Sequence, residues 1–255
     1  GWEPQRRLLV CVAARSRNGA GTAARLRQRR EGDPWLDGEA RFEAVAAAAG
    51  HDDWHRWPPS PPEQDAAAFG FLLSQLLVRE QHAAFRGHAH RLGLRVYGDL
   101  PIGTSHRGRF LFRDLFLSGY ALGAPPSRTN QAGQPWGYPV LDPEKLVPGG
   151  DAWRYVAMRL DAVLQDHDGL RIDHPHGWVC PWVYRRDDPD PWHAVQQGAR
   201  LYESPDLPDH PALAAHARVR PGQIDRAQPR HADHWVRALE PVQIDQYART
   251  FDLIV

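Results

Sequence analysis

The segment that decides the fold is GLRIDHPHG, residues 169–177. Its apolar residues favour a β-strand, and because side chains along a strand alternate with a period of two, Arg171 and Asp173 point to the same side. Pro175 and Gly177 then end the strand. The pattern predicts a carboxylate at the C-terminal tip of a strand with a guanidinium beside it. In a parallel α/β barrel, that tip is where catalytic groups lie.

An Arg next to a carboxylate admits two interpretations. An isolated Arg-x-Asp triplet is more often a structural ion pair at a strand end. The alternative is catalytic, because a carboxylate that attacks a sugar carbon must stay ionised, and a cation within reach favours the charged form and lowers the pKa. The neighbouring segments favour the catalytic interpretation.

Composition limits the class of protein. The chain has 255 residues, 42% of them hydrophobic, which is enough for one large α/β domain or two small ones. The net charge is zero with His neutral, so neither nucleic acid nor a membrane surface is a predicted partner. No stretch reaches the ~18 apolar residues of a membrane span, and no apolar signal-peptide core is visible. These features predict a cytoplasmic protein.

Helices and strands are predicted to alternate, which is typical of a parallel sheet or barrel. The spacing of apolar residues predicts helices over residues 42–49 and 65–92. Gly50 ends the first, whereas Asp65 caps the second and Gly93 ends it.

A second acidic residue, Asp99, follows a short strand predicted over residues 94–97. A helix predicted over residues 151–164 leads into the strand that carries Arg171. Residues 104–150 and 180–230 show no regular period and are predicted to be long loops, the first of them too rich in aromatic residues to be disordered.

Towards the C-terminus, residues 232–249 are predicted to hold one or two helices and residues 251–255 a further strand. These strands are far fewer than the eight of a closed barrel. The predicted fold is therefore α/β, part of a (β/α)8 TIM-type barrel with long loop insertions, and the barrel is incomplete in this chain.

Three motifs follow one another along the chain: GDLPI at residues 98–102, GAPP at residues 123–126 with GQPWGYP at residues 133–139, and RIDH at residues 171–174 with Gly177. In this order and spacing the chain resembles the 4-alpha-glucanotransferases, the amylomaltases or disproportionating enzymes of the alpha-amylase clan. The resemblance covers roughly residues 42–180. It departs from the family at Ser127, where an Asp is usual. Residues 1–41 stay unassigned, and residues 42–255 are predicted to be a partial catalytic barrel domain.

The resemblance implies transfer of alpha-1,4-glucan segments to the 4-hydroxyl of an acceptor glucan. The reaction would be a retaining double displacement through a covalent glucosyl-Asp173 intermediate. Asp173 would be the nucleophile and Arg171 would hold it ionised. Asp99 and His174 would contact the sugar at the subsite where the bond is cut.

The resemblance also implies that Trp136 lines the groove for the acceptor glucan, since indole faces suit the apolar faces of glucose. Tyr138 is a further predicted substrate-binding residue. The expected partners are alpha-1,4-glucans and malto-oligosaccharides, with no cofactor and no metal.

Retaining chemistry needs a second carboxyl group as acid and base. The family carries it at the tip of the next strand, so we expect that Glu just beyond Val255. We accordingly expect this chain to be an internal piece of the enzyme and to be inactive alone.

Three other functions stay open. An alpha-glucan hydrolase of the same clan would share the intermediate, and a non-catalytic glucan-binding remnant would lack the second acid. A metal-dependent barrel hydrolase could use the pairs His88/His90 and His174/His176. It is the least favoured, because residues two apart on a helix do not face together and Pro175 breaks the strand alternation.

Overall fold

A computed structural model describes residues 20–253. The chain divides after Val96 into two compact units. The predicted boundary between residues 41 and 42 falls within a helix of the first unit, Trp35–Ala49. The assignment of residues 42–255 to one barrel domain stays a prediction.

The described part of the first unit is helical. Its helices are α1 (Ala20–Gly32), α2 (Trp35–Ala49) and α3 (Asp65–Arg91), with a 3-10 turn at Trp54–Arg56. Helix α2 ends at Gly50, whose φ of 74° is left-handed, as predicted, but it begins at Trp35 and the predicted start at residue 42 was wrong. Helix α3 matches its prediction, with Gly93 (φ 73°) just past its end. The predicted cap is wrong by one residue, because Gln64 occupies the N-cap position and Asp65 begins the helix.

The second unit mixes strands and helices. In chain order the strands are β1 (Tyr97–Leu100), β2 (Phe116–Ala124), β3 (Gln134–Leu141), β4 (Gly169–Ile172), β5 (Trp182–Arg185) and β6 (Ala199–Arg200). The helices are α4 (His106–Leu111), α5 (Asp151–Asp166), α6 (Pro175–Val179), α7 (Pro191–Gln196) and α8 (Pro241–Ala248). Short 3-10 turns lie at Arg113–Leu115, Pro211–His216, Pro221–Gln223 and Phe251–Leu253.

Strands β1 and β4 form a parallel pair, in which Asp99 lies opposite Arg171. Helix α5 leads into β4 as predicted and packs buried Val156 and Leu160 beneath the pair. The prediction of a strand over residues 94–97 was wrong in position: the strand begins at Tyr97, so that Asp99 lies within it. The strand begins at Tyr97 because its pairing with β4 begins there, where Tyr97 lies opposite Gly169.

The remaining strands form an antiparallel sheet in the order β3-β2-β5-β6. The prediction of long loops over residues 104–150 and 180–230 was therefore wrong. Gly119 and Gly137 interrupt β2 and β3 with positive φ, and the pairing of these strands shifts register. These breaks hide the period of two from which a strand is recognised.

The C-terminal predictions were partly wrong. Residues 232–249 hold one helix, α8, preceded by irregular chain. The strand predicted over residues 251–255 is a 3-10 turn at Phe251–Leu253. The last two residues of that prediction lie outside the described residues.

Within residues 20–253 the strands do not close into a barrel, so the structure supports a mixed α/β fold and the complete barrel stays a prediction. None of the helices in that range combines the length and apolarity needed to cross a bilayer.

Candidate active site

Arg171 bridges two carboxylates at the carboxyl ends of β1 and β4. Its Nη1 donates to both oxygens of Asp99 at 2.8 Å, and its Nη2 donates to Oδ1 of Asp173 at 2.8 Å. The backbone of Asp173 is fixed as well, since its N–H donates to the carbonyl of Leu100 at 3.0 Å. The structure thus places Arg171 and Asp173 together on one side, as the strand period predicts, and brings Asp99 to the same guanidinium.

His174 holds the other oxygen of the same carboxylate. Its Nδ1 lies 3.0 Å from Oδ2 of Asp173. The backbone of His174 is left-handed, with a φ of 49°, an uncommon conformation for a residue other than glycine. It turns the chain from β4 into α6, which begins at Pro175.

The pKa of Asp173 is lowered by these neighbours, first by the hydrogen bond with His174 and then by the hydrogen bond and charge of Arg171. The sequence attributed this effect to Arg171 alone. The two carboxylates also raise the pKa of Arg171, with the Asp99 hydrogen bond as the largest cause. Asp173 is therefore an ionised carboxylate, and its side chain is 26% exposed and reachable.

The aromatic side chain of Trp136 lies beside His174. The Trp136 ring on β3 meets the imidazole edge to face, with ring centroids 4.8 Å apart and planes at 82°. The indole Nε1 of Trp136 donates to Oε1 of Gln134 at 2.9 Å, which fixes the ring. Contacts thus connect Asp99, Arg171, Asp173, His174 and Trp136 in one continuous row.

The row ends at a cavity of about 470 Å³. Trp136 and His174 line it, whereas Asp99, Arg171 and Asp173 lie outside its lining. Tyr138 also lies outside it, packed so closely on Gly103 that a Cβ there would be 2.5 Å from the ring. The role predicted for Tyr138 in substrate binding stays a prediction.

Sequence reasoning did not identify several residues that line the cavity. Arg128 follows the GAPP motif, and its position next to that loop was an available signal. Arg200, His231 and Asp233 also line the cavity. No motif or period marks these three, because a tertiary contact brings them together.

The described residues contain no group of three or more His, Cys, Asp or Glu side chains able to hold a metal ion. The pair His88/His90 lies within α3, and His174 is engaged by Asp173.

Together the fold and the site define a mixed α/β protein with an arginine-bridged acidic centre at the tips of parallel strands, next to an aromatic-lined cavity. The chain belongs to the 4-alpha-glucanotransferase family, whose sequence profile matches residues 5–240. The family predicted from the three motifs is thereby confirmed.

Two curated relatives illustrate the similarity. A 4-alpha-glucanotransferase of Mycobacterium tuberculosis is 31% identical over 163 residues, which cover 58% of this chain and 22% of the relative. A chloroplastic/amyloplastic 4-alpha-glucanotransferase of Oryza sativa is 26% identical over 169 residues, covering 58% of this chain and 28% of the relative. The chain thus spans about a quarter of the length of these relatives.

Two solved structures share the fold. An amylomaltase from Streptococcus agalactiae in complex with acarbose matches with a TM-score of 0.66 and 20% identity, over 78% of this chain and 43% of that one. An amylomaltase from Corynebacterium glutamicum matches with a TM-score of 0.57 and 22% identity, over 91% of this chain and 31% of that one.

Proposed function

We propose that this chain carries the nucleophile of a 4-alpha-glucanotransferase and that Asp173 is that nucleophile. The observation that carries the proposal is that two side chains bind the partly exposed carboxylate of Asp173. Arg171 binds one oxygen and His174 the other, and together they lower the pKa of Asp173. Family membership supplies the substrate class, alpha-1,4-glucans and malto-oligosaccharides. The cytoplasmic location predicted from the sequence stays a prediction.

The proposed reaction is a double displacement. An oxygen of Asp173 attacks the anomeric carbon, the glycosidic bond breaks, and the leaving oxygen takes a proton from the acid/base carboxyl group. The 4-hydroxyl of an acceptor glucan then gives its proton back to that group and attacks the same carbon, which releases Asp173. Two inversions leave the product in the alpha configuration. The acid/base Glu predicted just beyond Val255 stays a prediction.

The neighbours of Asp173 have distinct roles in this proposal. Arg171 keeps the nucleophile Asp173 ionised and fixes its orientation, and it binds Asp99 through the same guanidinium. His174 orients the second oxygen and, with Asp99, contacts the sugar at the cleavage subsite. Trp136 offers a face to the acceptor glucan at the entrance of the cavity. Hydrolysis shares the intermediate, so occupancy of the acceptor position decides between transfer and hydrolysis.

The test is to trap the covalent intermediate with α-maltosyl fluoride. Fluoride leaves without needing a proton, so the first step does not depend on where the acid/base carboxyl group lies. We expect intact-mass analysis to show one maltosyl unit added to the 255-residue chain. Peptide mapping should place the ester on Asp173, and Asp173→Asn should show no adduct.

Asp99→Asn is the matched control, because it removes the other carboxylate of the bridge and leaves the proposed nucleophile in place. An adduct on Asp99, or one that persists in Asp173→Asn, would refute the assignment. A folded chain that binds malto-oligosaccharides but never forms an adduct would support a non-catalytic glucan-binding remnant instead.

A further inference from the structure

One part of the cavity lining comes from chain that no motif marks. Residues 230–233, called here the 230–233 wall, lie in irregular chain between the 3-10 turn Pro221–Gln223 and helix α8. His231, Ala232 and Asp233 of this wall line the cavity that Trp136 and His174 also line. A wall without strand or helix pairing has to be held by other contacts.

The base of this irregular segment is fixed near its ends. An isolated bridge joins Ile224 to Val236, and the N–H of Asp225 donates to the carbonyl of Trp235 at 2.8 Å. The indole of Trp235 is buried, and its Nε1 donates to the carbonyl of Glu203 at 3.0 Å. These contacts anchor the ends of the segment. The cavity-lining part lies between them, and the guanidinium of Arg230 at its start pairs with Asp209 at 2.6 Å.

Arg200 holds that cavity-lining part. Its Nε donates to the carbonyl of Arg230 at 3.3 Å, and its Nη2 donates to the carbonyls of His231 at 3.1 Å and Ala232 at 3.3 Å. One planar guanidinium therefore holds three successive peptide groups, which a single ammonium could not match in geometry.

Arg200 is itself well fixed. It lies on β6 opposite Trp182 of β5, so the sheet determines its backbone position. Its Nε also lies 3.5 Å from Oε2 of Glu203, whose side chain is only 13% exposed. Burial raises the pKa of Glu203, and the charge of Arg200 opposes that rise. The pair Glu203–Arg200 thus links the antiparallel sheet to the 230–233 wall.

We propose that Arg200 is a positioning residue of the glucan site: it holds the 230–233 wall so that His231 and Asp233 complete the cavity and determine how tightly the sugar binds. This inference rests on the proposed function, because it takes the cavity to be the sugar-binding one. Imidazole and carboxylate groups suit the hydroxyls of a glucan, to which they can offer hydrogen-bond donors and acceptors. Arg200 acts on binding and leaves the chemistry at Asp173 unchanged.

The test compares trapping kinetics with α-maltosyl fluoride in the wild-type chain, Arg200→Gln and Arg200→Lys. We expect Arg200→Gln to raise the half-saturating concentration about tenfold, while the limiting rate of adduct formation changes less than about threefold. Arg200→Lys should fall between the two, because it keeps the charge facing Glu203 and loses the three-way contact. The matched control is Arg226→Gln, which removes an exposed pair with Asp206 in the same segment and should change neither value.

Hydrogen exchange separates positioning from general destabilisation. Arg200→Gln should speed amide exchange within residues 228–234 and leave α5 and β5 unchanged. If that variant fails to fold, the double variant His231→Ala, Asp233→Asn keeps Arg200 in place and should still raise the half-saturating concentration. An unchanged half-saturating concentration in folded Arg200→Gln, or in the double variant, would overturn the inference.

Calorimetric binding of maltoheptaose distinguishes this inference from the proposed function. If no adduct forms in the wild-type chain but Arg200→Gln weakens maltoheptaose binding, the role of Arg200 holds and the role of Asp173 fails. If the adduct forms on Asp173 with equal saturation in all variants, the role of Asp173 holds and the role of Arg200 fails.

Discussion

The parallel pair β1–β4 and the antiparallel sheet β3-β2-β5-β6 use their side chains in opposite ways. The parallel pair exposes its charges: Arg171 is 64% and Asp99 60% exposed. The antiparallel sheet buries Trp182–Tyr184 of β5, and Val183 of β5 and Leu213 beside the sheet are 0% exposed. The proposed nucleophile Asp173 thus follows a short strand pair whose charges face solvent, whereas the cavity beside it is lined by residues of the sheet that packs the core.

This difference indicates that the residues needed for the proposed reaction are not those on which folding stability depends. Exposed ion pairs contribute little to folding, because water screens them and ordering the side chains costs entropy. Buried apolar side chains dominate stability, because their removal leaves a cavity in a close-packed core. We therefore expect changes at the parallel pair to affect trapping of the sugar without unfolding the chain, and changes in the sheet core to do the reverse.

The strongest test of this separation is Arg171→Met. The substitution removes the donor to Asp173 and leaves the Asp99 and Asp173 carboxylates without their shared cation. We expect adduct formation with α-maltosyl fluoride to slow by about two to three powers of ten, as when a fixed charge-stabilising donor is lost. The thermal midpoint should stay near that of the wild-type chain.

Arg185→Met is the control for this change. Arg185 pairs with Asp187 on the surface at the end of β5, so its loss removes a similar exposed ion pair away from the nucleophile. Its trapping rate should match the wild type. A rate for Arg171→Met within about tenfold of the wild type would mean that Arg171 is a structural partner only.

The converse test is Leu213→Ala in the core beside the sheet. Loss of a fully buried leucine costs about 2–5 kcal/mol of unfolding free energy, which urea denaturation followed by circular dichroism measures. The folded fraction should still form the adduct at the wild-type rate. Leu164→Ala, at a position 46% exposed on α5, is the control and should leave the unfolding free energy nearly unchanged. Equal losses in the two variants would contradict the proposed division.

Strand β4 of the parallel pair was predictable from sequence because its signals are local, whereas β1 was predicted too early in the chain. The alternation that puts Arg171 and Asp173 on one side, and the helix that leads into β4, both lie within a short stretch. The motifs, through the resemblance, also pointed to Asp99, His174 and Trp136. The left-handed backbone at His174 was not predictable, and it is this turn that lets the imidazole reach back to Asp173.

The antiparallel sheet was not predictable, because its strands are interrupted and its register shifts. Gly119 and Gly137 have positive φ, and the register between β2 and β3 shifts, so no run of alternating residues is visible. The 230–233 wall was hidden for a related reason. Contacts with residues distant in sequence, among them Arg200 some thirty positions away, make it part of the cavity.

A smaller effect is expected at Trp136, which lines the cavity and contacts the ring of His174. In a chain that includes the predicted acid/base carboxyl group, Trp136→Ala should reduce the acceleration that added maltose gives to discharge of the adduct, relative to discharge by water, because the indole face is lost. The expected reduction is about three- to tenfold, the scale of an aromatic packing contact. Time-resolved intact-mass analysis measures it, and Trp136→Phe, which keeps a smaller ring face, should lose less. An unchanged ratio would make Trp136 a purely structural residue.

The smallest effect expected is a shift in pH dependence at His174. The hydrogen bond with His174 is the largest cause of the lowered pKa of Asp173, so removing it raises that pKa. A nucleophile with a higher pKa becomes protonated at a higher pH, and the acid limb of the trapping rate therefore moves to higher pH in His174→Gly. His174→Asn is the matched variant, because both residues tolerate the left-handed backbone but only Asn offers an N–H at the position of the imidazole Nδ1. We expect its acid limb to lie between those of His174→Gly and the wild type. Acid limbs that coincide in all three proteins would show that Arg171 alone holds the carboxylate ionised, as the sequence first indicated.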